Sequence, residues 1–188
     1  NAGESCIGAN RFYVHHTRAE EFSSSLAHAM STLVLGDGMK EGVDVGPLVN
    51  ASTINKVEQL VDQAVELGAK VLTGGSRLAA PGFFYQPTVL VDIPKHADIL
   101  REEIFGPVAP IVTFTSQDEV IAAANDTVFG LAAYVIGANV GNALAVAEQL
   151  EAGVLGVNRG FISDPAAPFG GVKQSGIGRE GSQDGLHE

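Results

Sequence analysis

Cysteine, tryptophan, positive charge and long apolar runs are all scarce in this chain of 188 residues. Its single cysteine, Cys6, excludes an intrachain disulfide framework and suits a reducing, cytoplasmic compartment. The 11 Lys and Arg against 22 Asp and Glu leave a net charge of −11, which argues against a nucleic-acid partner, because such binding needs clustered basic residues. No apolar run reaches the roughly 18 residues of a membrane span, so no membrane partner is expected.

The five histidines do not form a metal-binding pattern. His15 and His16 are adjacent and would point to opposite faces of a strand, while His28, His96 and His187 have no ligand partner at i+3 or i+4. A single cysteine cannot begin a zinc cluster. No metal site is therefore predicted.

Strand-like and helix-like segments alternate along the chain. Strands are predicted at 9–15, 69–73, 86–93, 108–114, 132–136 and 154–157, and helices at 20–35, 52–67, 116–126 and 139–151. Thr17 with Glu20, and Ser116 with Glu119, have the spacing of N-terminal capping boxes. This alternation predicts an α/β fold with a mostly parallel, doubly wound sheet and flanking helices, in one domain. The last 30 residues are rich in Gly, Pro and Ser and are predicted to be mostly loop.

One glycine motif is a misleading match. Residues 176–181 satisfy G-x-G-x-x-G letter for letter. The dinucleotide-binding form of that motif needs a hydrophobic strand before it and a helix after it, and neither pattern is present around these residues. A glycine-rich surface turn is predicted instead.

Cys6 is the residue whose setting favours chemistry. Composition alone predicts a small buried hydrophobic side chain for a lone cysteine. However, Gly3 and Gly8 flank it, and it lies just before the first predicted strand, where loops often carry function. A reactive thiol is the hypothesis that this setting favours.

Four segments then occur in the order and spacing of the aldehyde dehydrogenase superfamily: NAGESCIGAN (1–10), EEIFGPV (102–108), PFGGVK (168–173) and SGIGREG (175–181). The chain resembles that family over nearly its whole length, and its tail is most similar to the succinate-semialdehyde dehydrogenase branch. The resemblance implies a thiol-bearing catalytic domain over residues 1–188, with the dinucleotide-binding domain absent. It also implies NAD or NADP as cofactor, a small-molecule aldehyde as substrate and a homo-oligomeric parent enzyme.

The resemblance also assigns roles to five residues. Cys6 would be the catalytic nucleophile, which forms a thiohemiacetal with the aldehyde and then a thioester that water hydrolyses. Glu103 would bind the nicotinamide-ribose hydroxyls, with Phe105 beside it limiting the position of the ring. Ser163 would donate a hydrogen bond to the substrate carboxylate, and Phe169 would form an aromatic wall of the aldehyde tunnel.

The chain departs from the family pattern at two positions near the thiol. Glu4 stands where Gln is usual, and a carboxylate so near in sequence would, if close in space, oppose thiolate formation. Some family members have, at the position of Gly8, a second cysteine that forms a redox disulfide. This chain cannot form that disulfide. Three further residues of the family are expected before Asn1: the general-base Glu, the Asn that binds the oxyanion, and the Arg that binds the substrate carboxylate.

Three other functions stay open on the sequence alone. One is an aldehyde dehydrogenase of broader aliphatic specificity. Another is a thiol esterase-like hydrolase, in which Cys6 is acylated without any cofactor. The third is a non-catalytic domain with a buried, unreactive Cys6.

We predict that the 188-residue chain by itself does not oxidise aldehydes. The deacylation base and half of the oxyanion hole are expected outside it, and losing one oxyanion donor alone costs roughly 10²–10³ in rate. Absorbance at 340 nm with NAD(P) and an aldehyde tests this, with Cys6→Ala as the control. Reduction of the cofactor above that control would contradict the prediction.

Overall fold

The structure is a computed structural model that describes residues 1–187, with only the backbone described for Asp184. The chain divides into a first unit, Asn1–Thr115, and a second unit that begins at Ser116. The first unit contains β1 (Phe12–His15), α1 (Ala19–Ser31), α2 (Ala51–Glu66), β2 (Lys70–Thr73), β3 (Thr88–Val91) and β4 (Val108–Phe114). The second contains α3 (Gln117–Asn125), β5 (Ala132–Val135), α4 (Val140–Ala147) and β6 (Val154–Val157).

The first unit is built on a four-stranded sheet in the order β1-β4-β3-β2. β4 pairs in parallel with both of its neighbours: Phe12 lies opposite Ile111, and Thr88 lies opposite Val108. β2 adds an antiparallel edge strand, with Lys70 opposite Val91. The strands β3 and β4 are buried over most of their length, as expected for central parallel strands.

The second unit contains a two-stranded parallel sheet, β5 with β6, in which Ala132 lies opposite Val154. Of the four strand pairings among the described residues, three are parallel. The α/β prediction with a mostly parallel sheet and flanking helices is therefore confirmed. Beyond β6, the described residues contain two three-residue 3₁₀ turns, Lys173–Ser175 and Asp184–Leu186, and one isolated bridge between Phe169 and Glu180, so the predicted loop character is confirmed as well.

Helix α2 supplies five of the fourteen buried residues of the larger core cluster in the first unit. Five of its apolar residues are buried at helical spacing: Ile54, Val57, Leu60, Val61 and Ala64. The Asn50 side chain caps the helix by accepting a hydrogen bond from the Thr53 N–H. Val65 and Leu67, which the sequence pattern placed in the same stripe, are 41% and 39% exposed because they lie beyond the packed face.

The predicted start of α1 at residue 20 is correct to within one residue, but its predicted N-terminal cap is wrong. Thr17 does not cap the helix; its hydroxyl lies 2.8 Å from Nδ1 of His15, and the helix begins at Ala19 without a side-chain cap. His16 belongs to a 3₁₀ turn rather than the strand, so its ring packs near that of His15 instead of facing the opposite side.

The predicted end of α1 is too late. The helix ends at Ser31, and the Ser31 and Thr32 hydroxyls donate to the His28 and Ala29 carbonyl oxygens of its last turn. Leu35 instead forms a parallel bridge with Val45. The apolar residues after Ser31 are thus drawn into pairing with a later loop.

The remaining elements follow the sequence closely. Ser116 caps α3 through the Glu119 N–H, as predicted, and β4 and β6 have the predicted bounds. β1 is shorter than predicted, since it begins at Phe12, and α4 ends at Ala147 rather than at residue 151.

One buried polar atom in the core lacks a partner among the described residues. Tyr85 is 1% exposed, and its hydroxyl makes no hydrogen bond. Burial raises the pKa of Tyr85, and the nearby Asp62 and Glu58 carboxylates raise it further. Tyr85 therefore remains a neutral phenol that contributes its ring to packing.

The sheet brings two segments of the first unit together. Residues 1–11 precede β1 and residues 101–107 precede β4. Because these neighbouring strands run in parallel, both segments lie at the edge of the sheet formed by the amino ends of the strands. There they approach closely: a Cβ added to Gly3 would lie 2.0 Å from the Gly106 carbonyl oxygen. Gly3 also has a φ of +74°, which favours glycine.

We predict that Gly3→Ala lowers the free energy of unfolding of the chain by at least about 2 kcal/mol, because it combines a backbone clash with an unfavourable φ. Urea unfolding measures the loss. Gly38→Ala is the matched control, since nothing lies within 4 Å of a Cβ added there, and its change should stay within about 0.5 kcal/mol. Equal losses in the two variants would contradict the prediction.

Candidate functional site

Cys6 lies in a tight turn just before β1. The Gly8 N–H donates to the Ser5 carbonyl oxygen at 2.9 Å, so Cys6 and Ile7 are the two central residues of the turn. Cys6 is exposed, and its thiol is free. The local chain therefore presents the thiol at the surface of the first unit instead of burying it.

Glu4 is bound to the start of α2. Its Oε1 accepts a hydrogen bond from the Val49 N–H at 2.9 Å, immediately before the Asn50 cap. A helix N-terminus carries partial positive charge, so the carboxylate is favourably placed there. Glu4, which lies two residues before Cys6 in the sequence, thus connects the thiol-bearing segment to the start of α2.

Glu103 and Phe105 lie in the turn before β4. Glu103 is exposed, and no ion pair or hydrogen bond engages its carboxylate within the part of the chain that the structure describes. Ile104 is 1% exposed and anchors the turn in the core. Phe105 is half-buried with a φ of +54°, an uncommon value for a bulky residue that persists only where the surrounding structure imposes it.

Asn10 joins these two segments, and sequence reasoning gave it no role. Its Nδ2 donates to the Glu102 carbonyl oxygen at 2.8 Å, and its Oδ1 accepts from the Ile104 N–H at 2.8 Å. The two bonds lie on either side of Glu103. Asn10 ends the first of the four family segments, and that position was the only signal in the sequence.

Ser163 and Phe169 lie in the second unit, in the loop after β6. Ser163 is exposed and follows the buried Ile162. Phe169 is half-buried, and its backbone exchanges two hydrogen bonds of 2.8 Å with Glu180. The structure therefore groups Cys6, Glu103 and Phe105 in one unit and Ser163 and Phe169 in the other.

The G-x-G-x-x-G run has a packing role in the second unit. No strand precedes it; the 3₁₀ turn Lys173–Ser175 does. The Nη1 of Arg179 lies 2.8 Å from the Gly171 carbonyl oxygen and 3.0 Å from those of Ile177 and Gly178. A Cβ on Gly170 would lie 2.1 Å from the Gly178 carbonyl oxygen. These contacts hold one loop against another, and the strand and helix of a dinucleotide-binding turn are missing from residues 172–187.

Residues 1–187 contain neither a metal-binding cluster nor a membrane-spanning helix. No group of three or more His, Cys, Asp or Glu side chains is gathered there in a way that could hold a metal ion. Of the helices in this range, none combines the length and the apolar character needed to cross a membrane.

Comparison with known proteins gives a consistent family. The model of the "Aldehyde dehydrogenase family" matches residues 1–188. The chain is 50% identical over 188 residues to succinate-semialdehyde dehydrogenase of Paenarthrobacter nicotinovorans, covering 100% of this chain and 42% of that protein. It is 46% identical to the succinate-semialdehyde dehydrogenase [NADP(+)] GabD of Escherichia coli strain K12, covering 100% of this chain and 39% of that protein.

A solved structure agrees with this result. The crystal structure of succinate-semialdehyde dehydrogenase from Burkholderia pseudomallei superposes with a TM-score of 0.96 at 46% identity, covering 99% of this chain and 39% of that one. The chain belongs to the aldehyde dehydrogenase family. It spans about two fifths of the length of the curated relatives it matches.

We predict that Cys6 in the native chain reacts readily with iodoacetamide, because its turn is exposed. Labelling is followed by mass spectrometry, and the same chain in urea gives the rate for a fully accessible thiol. A native rate within about tenfold of the unfolded rate is expected. If Cys6 were labelled only in denaturant, the prediction would be contradicted and Cys6 would be a buried packing residue.

Proposed function

We propose that residues 1–188 are the catalytic domain of an NAD(P)-dependent aldehyde dehydrogenase that oxidises succinate semialdehyde to the acid. One observation carries the proposal: the exposed thiol of Cys6 and the exposed carboxylate of Glu103 lie on two segments that meet at one edge of the sheet. Family membership and the names of the relatives support the reaction and the substrate. The dinucleotide-binding domain is proposed to lie outside this chain.

Cys6 is the proposed nucleophile. Its thiolate attacks the aldehyde carbon, a C–S bond forms, and the carbonyl oxygen becomes the alkoxide of a thiohemiacetal. The backbone N–H of Cys6 is proposed to donate to that oxygen, with a further donor expected outside the chain. Loss of hydrogen with its electron pair from this carbon leaves a thioester on Cys6, and water then cleaves the thioester to release the acid and the thiol.

Glu103 and Phe105 fit the nicotinamide end of a dinucleotide. A carboxylate accepts hydrogen bonds from two adjacent ribose hydroxyls, and that of Glu103 is not engaged by any of the described residues. The half-buried Phe105 offers an aromatic surface one residue from the buried Ile104. When bound, the nicotinamide supplies the two-electron acceptor that the oxidation requires. Whether NAD or NADP is preferred depends on ribose-reading residues that we place in the other domain.

Ser163 and Phe169 are proposed to recognise the substrate. The exposed hydroxyl of Ser163 can donate to the distal carboxylate, and the Phe169 ring can pack on the short methylene chain. The charge of the carboxylate is proposed to be balanced by an Arg that precedes Asn1. A cytoplasmic location and a homo-oligomeric parent enzyme complete the proposal.

We predict that Ser163→Ala in the full-length enzyme lowers kcat/KM for succinate semialdehyde roughly 10–100-fold, because a hydrogen bond to a charged group contributes about 1.5–3 kcal/mol. Pentanal is the control substrate, since it has no carboxylate for the hydroxyl to bind, and its kcat/KM should be nearly unchanged. Steady-state rates at 340 nm measure both.

The two substrates separate the alternatives. Equal losses for both would show that Ser163 only holds its loop in place. No loss for either would favour an aldehyde dehydrogenase of broader aliphatic specificity. Release of p-nitrophenol from p-nitrophenyl acetate by Cys6, with no reduction of NAD(P) by the full-length protein, would favour a thiol esterase instead.

A further inference from the structure

The Asn10 side chain holds the turn that carries Glu103. Its amide donates to the Glu102 carbonyl oxygen and accepts from the Ile104 N–H, both at 2.8 Å, so it binds the backbone on both sides of Glu103. Because the Ile104 N–H can only donate, it must face the Oδ1 of Asn10, and this determines the orientation of the Asn10 side-chain amide. Asn10 thereby joins its own segment to Glu102 and Ile104, which lie 92 and 94 positions further along the chain.

Asn10 also belongs to the segment that carries the thiol. It lies four residues after Cys6, which is itself a central residue of the turn closed by the hydrogen bond from the Gly8 N–H to the Ser5 carbonyl oxygen. The same two segments touch again where Gly3 approaches the Gly106 carbonyl oxygen. Asn10 is therefore a polar link between the proposed nucleophile and the proposed cofactor carboxylate.

We propose that Asn10 is a positioning residue that sets Glu103 in register with Cys6. The inference rests on the proposed function, in which Cys6 carries the substrate and Glu103 holds the nicotinamide ribose. Reacting atoms must be held about 3–3.5 Å apart for efficient transfer, and small misplacements are costly. Glu103 is exposed, so its place relative to Cys6 depends on how the backbone on either side of it is held.

The first test is Asn10→Ala in the full-length enzyme. We expect kcat/KM for NAD(P) to fall about 10-fold, from the loss of two hydrogen bonds that orient Glu103, while KM for the aldehyde changes less than about twofold. Equal increases in both KM values would overturn the proposal, because a loss specific to the cofactor is what distinguishes positioning of Glu103 from general loosening.

A double-mutant cycle with Glu103→Ala gives the second test. If Asn10 acts through Glu103, Asn10→Ala should lower kcat/KM for NAD(P) less than about twofold once the carboxylate is gone. A full 10-fold loss in both backgrounds would overturn the proposal. If Glu103→Ala alone changes nothing, the proposed role of Glu103 fails and the role of Asn10 fails with it.

Asn125→Ala is the matched control for lost hydrogen bonds. The Asn125 amide makes the same pair of contacts in the second unit, donating to the Gln149 carbonyl oxygen at 2.8 Å and accepting from the Glu151 N–H at 2.9 Å. This variant should lower the melting temperature but leave kcat/KM for NAD(P) within about twofold. A 10-fold loss in Asn125→Ala would attribute the effect of Asn10→Ala to general destabilisation and overturn the proposal.

Asn10→Asp keeps the inference testable if Asn10→Ala does not fold. The carboxylate has the same shape and still accepts from the Ile104 N–H, but it cannot donate to the Glu102 carbonyl oxygen. We expect a loss in kcat/KM for NAD(P) of about 3-fold or more that disappears in the Glu103→Ala background. Wild-type kcat/KM in Asn10→Asp would overturn the proposal.

Discussion

The parallel pairing of β1 with β4 is the constraint on which the candidate site depends. Two neighbouring strands that run in the same direction begin at the same edge, so the segments before Phe12 and before Val108 must meet there. In open α/β sheets, ligands usually bind outside the carboxyl ends of the strands. Cys6 and Glu103 both precede their strands. The candidate site therefore lies at the amino ends of β1 and β4, opposite to the carboxyl ends where that rule places ligands.

Backbone demands are concentrated where those two segments meet. Gly3 has a positive φ and leaves no room for a Cβ beside Gly106, and Phe105 holds a positive φ without being glycine. Such conformations are unfavourable alone and persist when packing and hydrogen bonds impose them. The bonds of Asn10 and the burial of Ile104 supply that support. The order of the site is thus maintained by residues that need not touch substrate.

In the second unit, residues of the family motifs make packing contacts. A Cβ on Gly153 would lie 1.9 Å from the Gly170 carbonyl oxygen, and Arg179 gathers three carbonyl oxygens of the tail. Gly153 lets two chain segments approach more closely than a side chain would permit, and the Arg179 guanidinium ties the tail to itself. Phe169, which we propose contacts the substrate, is half-buried at the antiparallel bridge with Glu180.

What the sequence determined by itself is local. The stripe of α2, the Ser116 cap of α3 and the bounds of β4 follow from residues within a few positions of one another, and so does the turn-forming setting of Cys6. The tertiary structure decided the rest: Leu35 leaves the helix to pair with Val45, and Asn10 binds a turn more than 90 residues away. Contacts between distant residues leave no periodic trace along the chain, because their partners are chosen by strand order and packing.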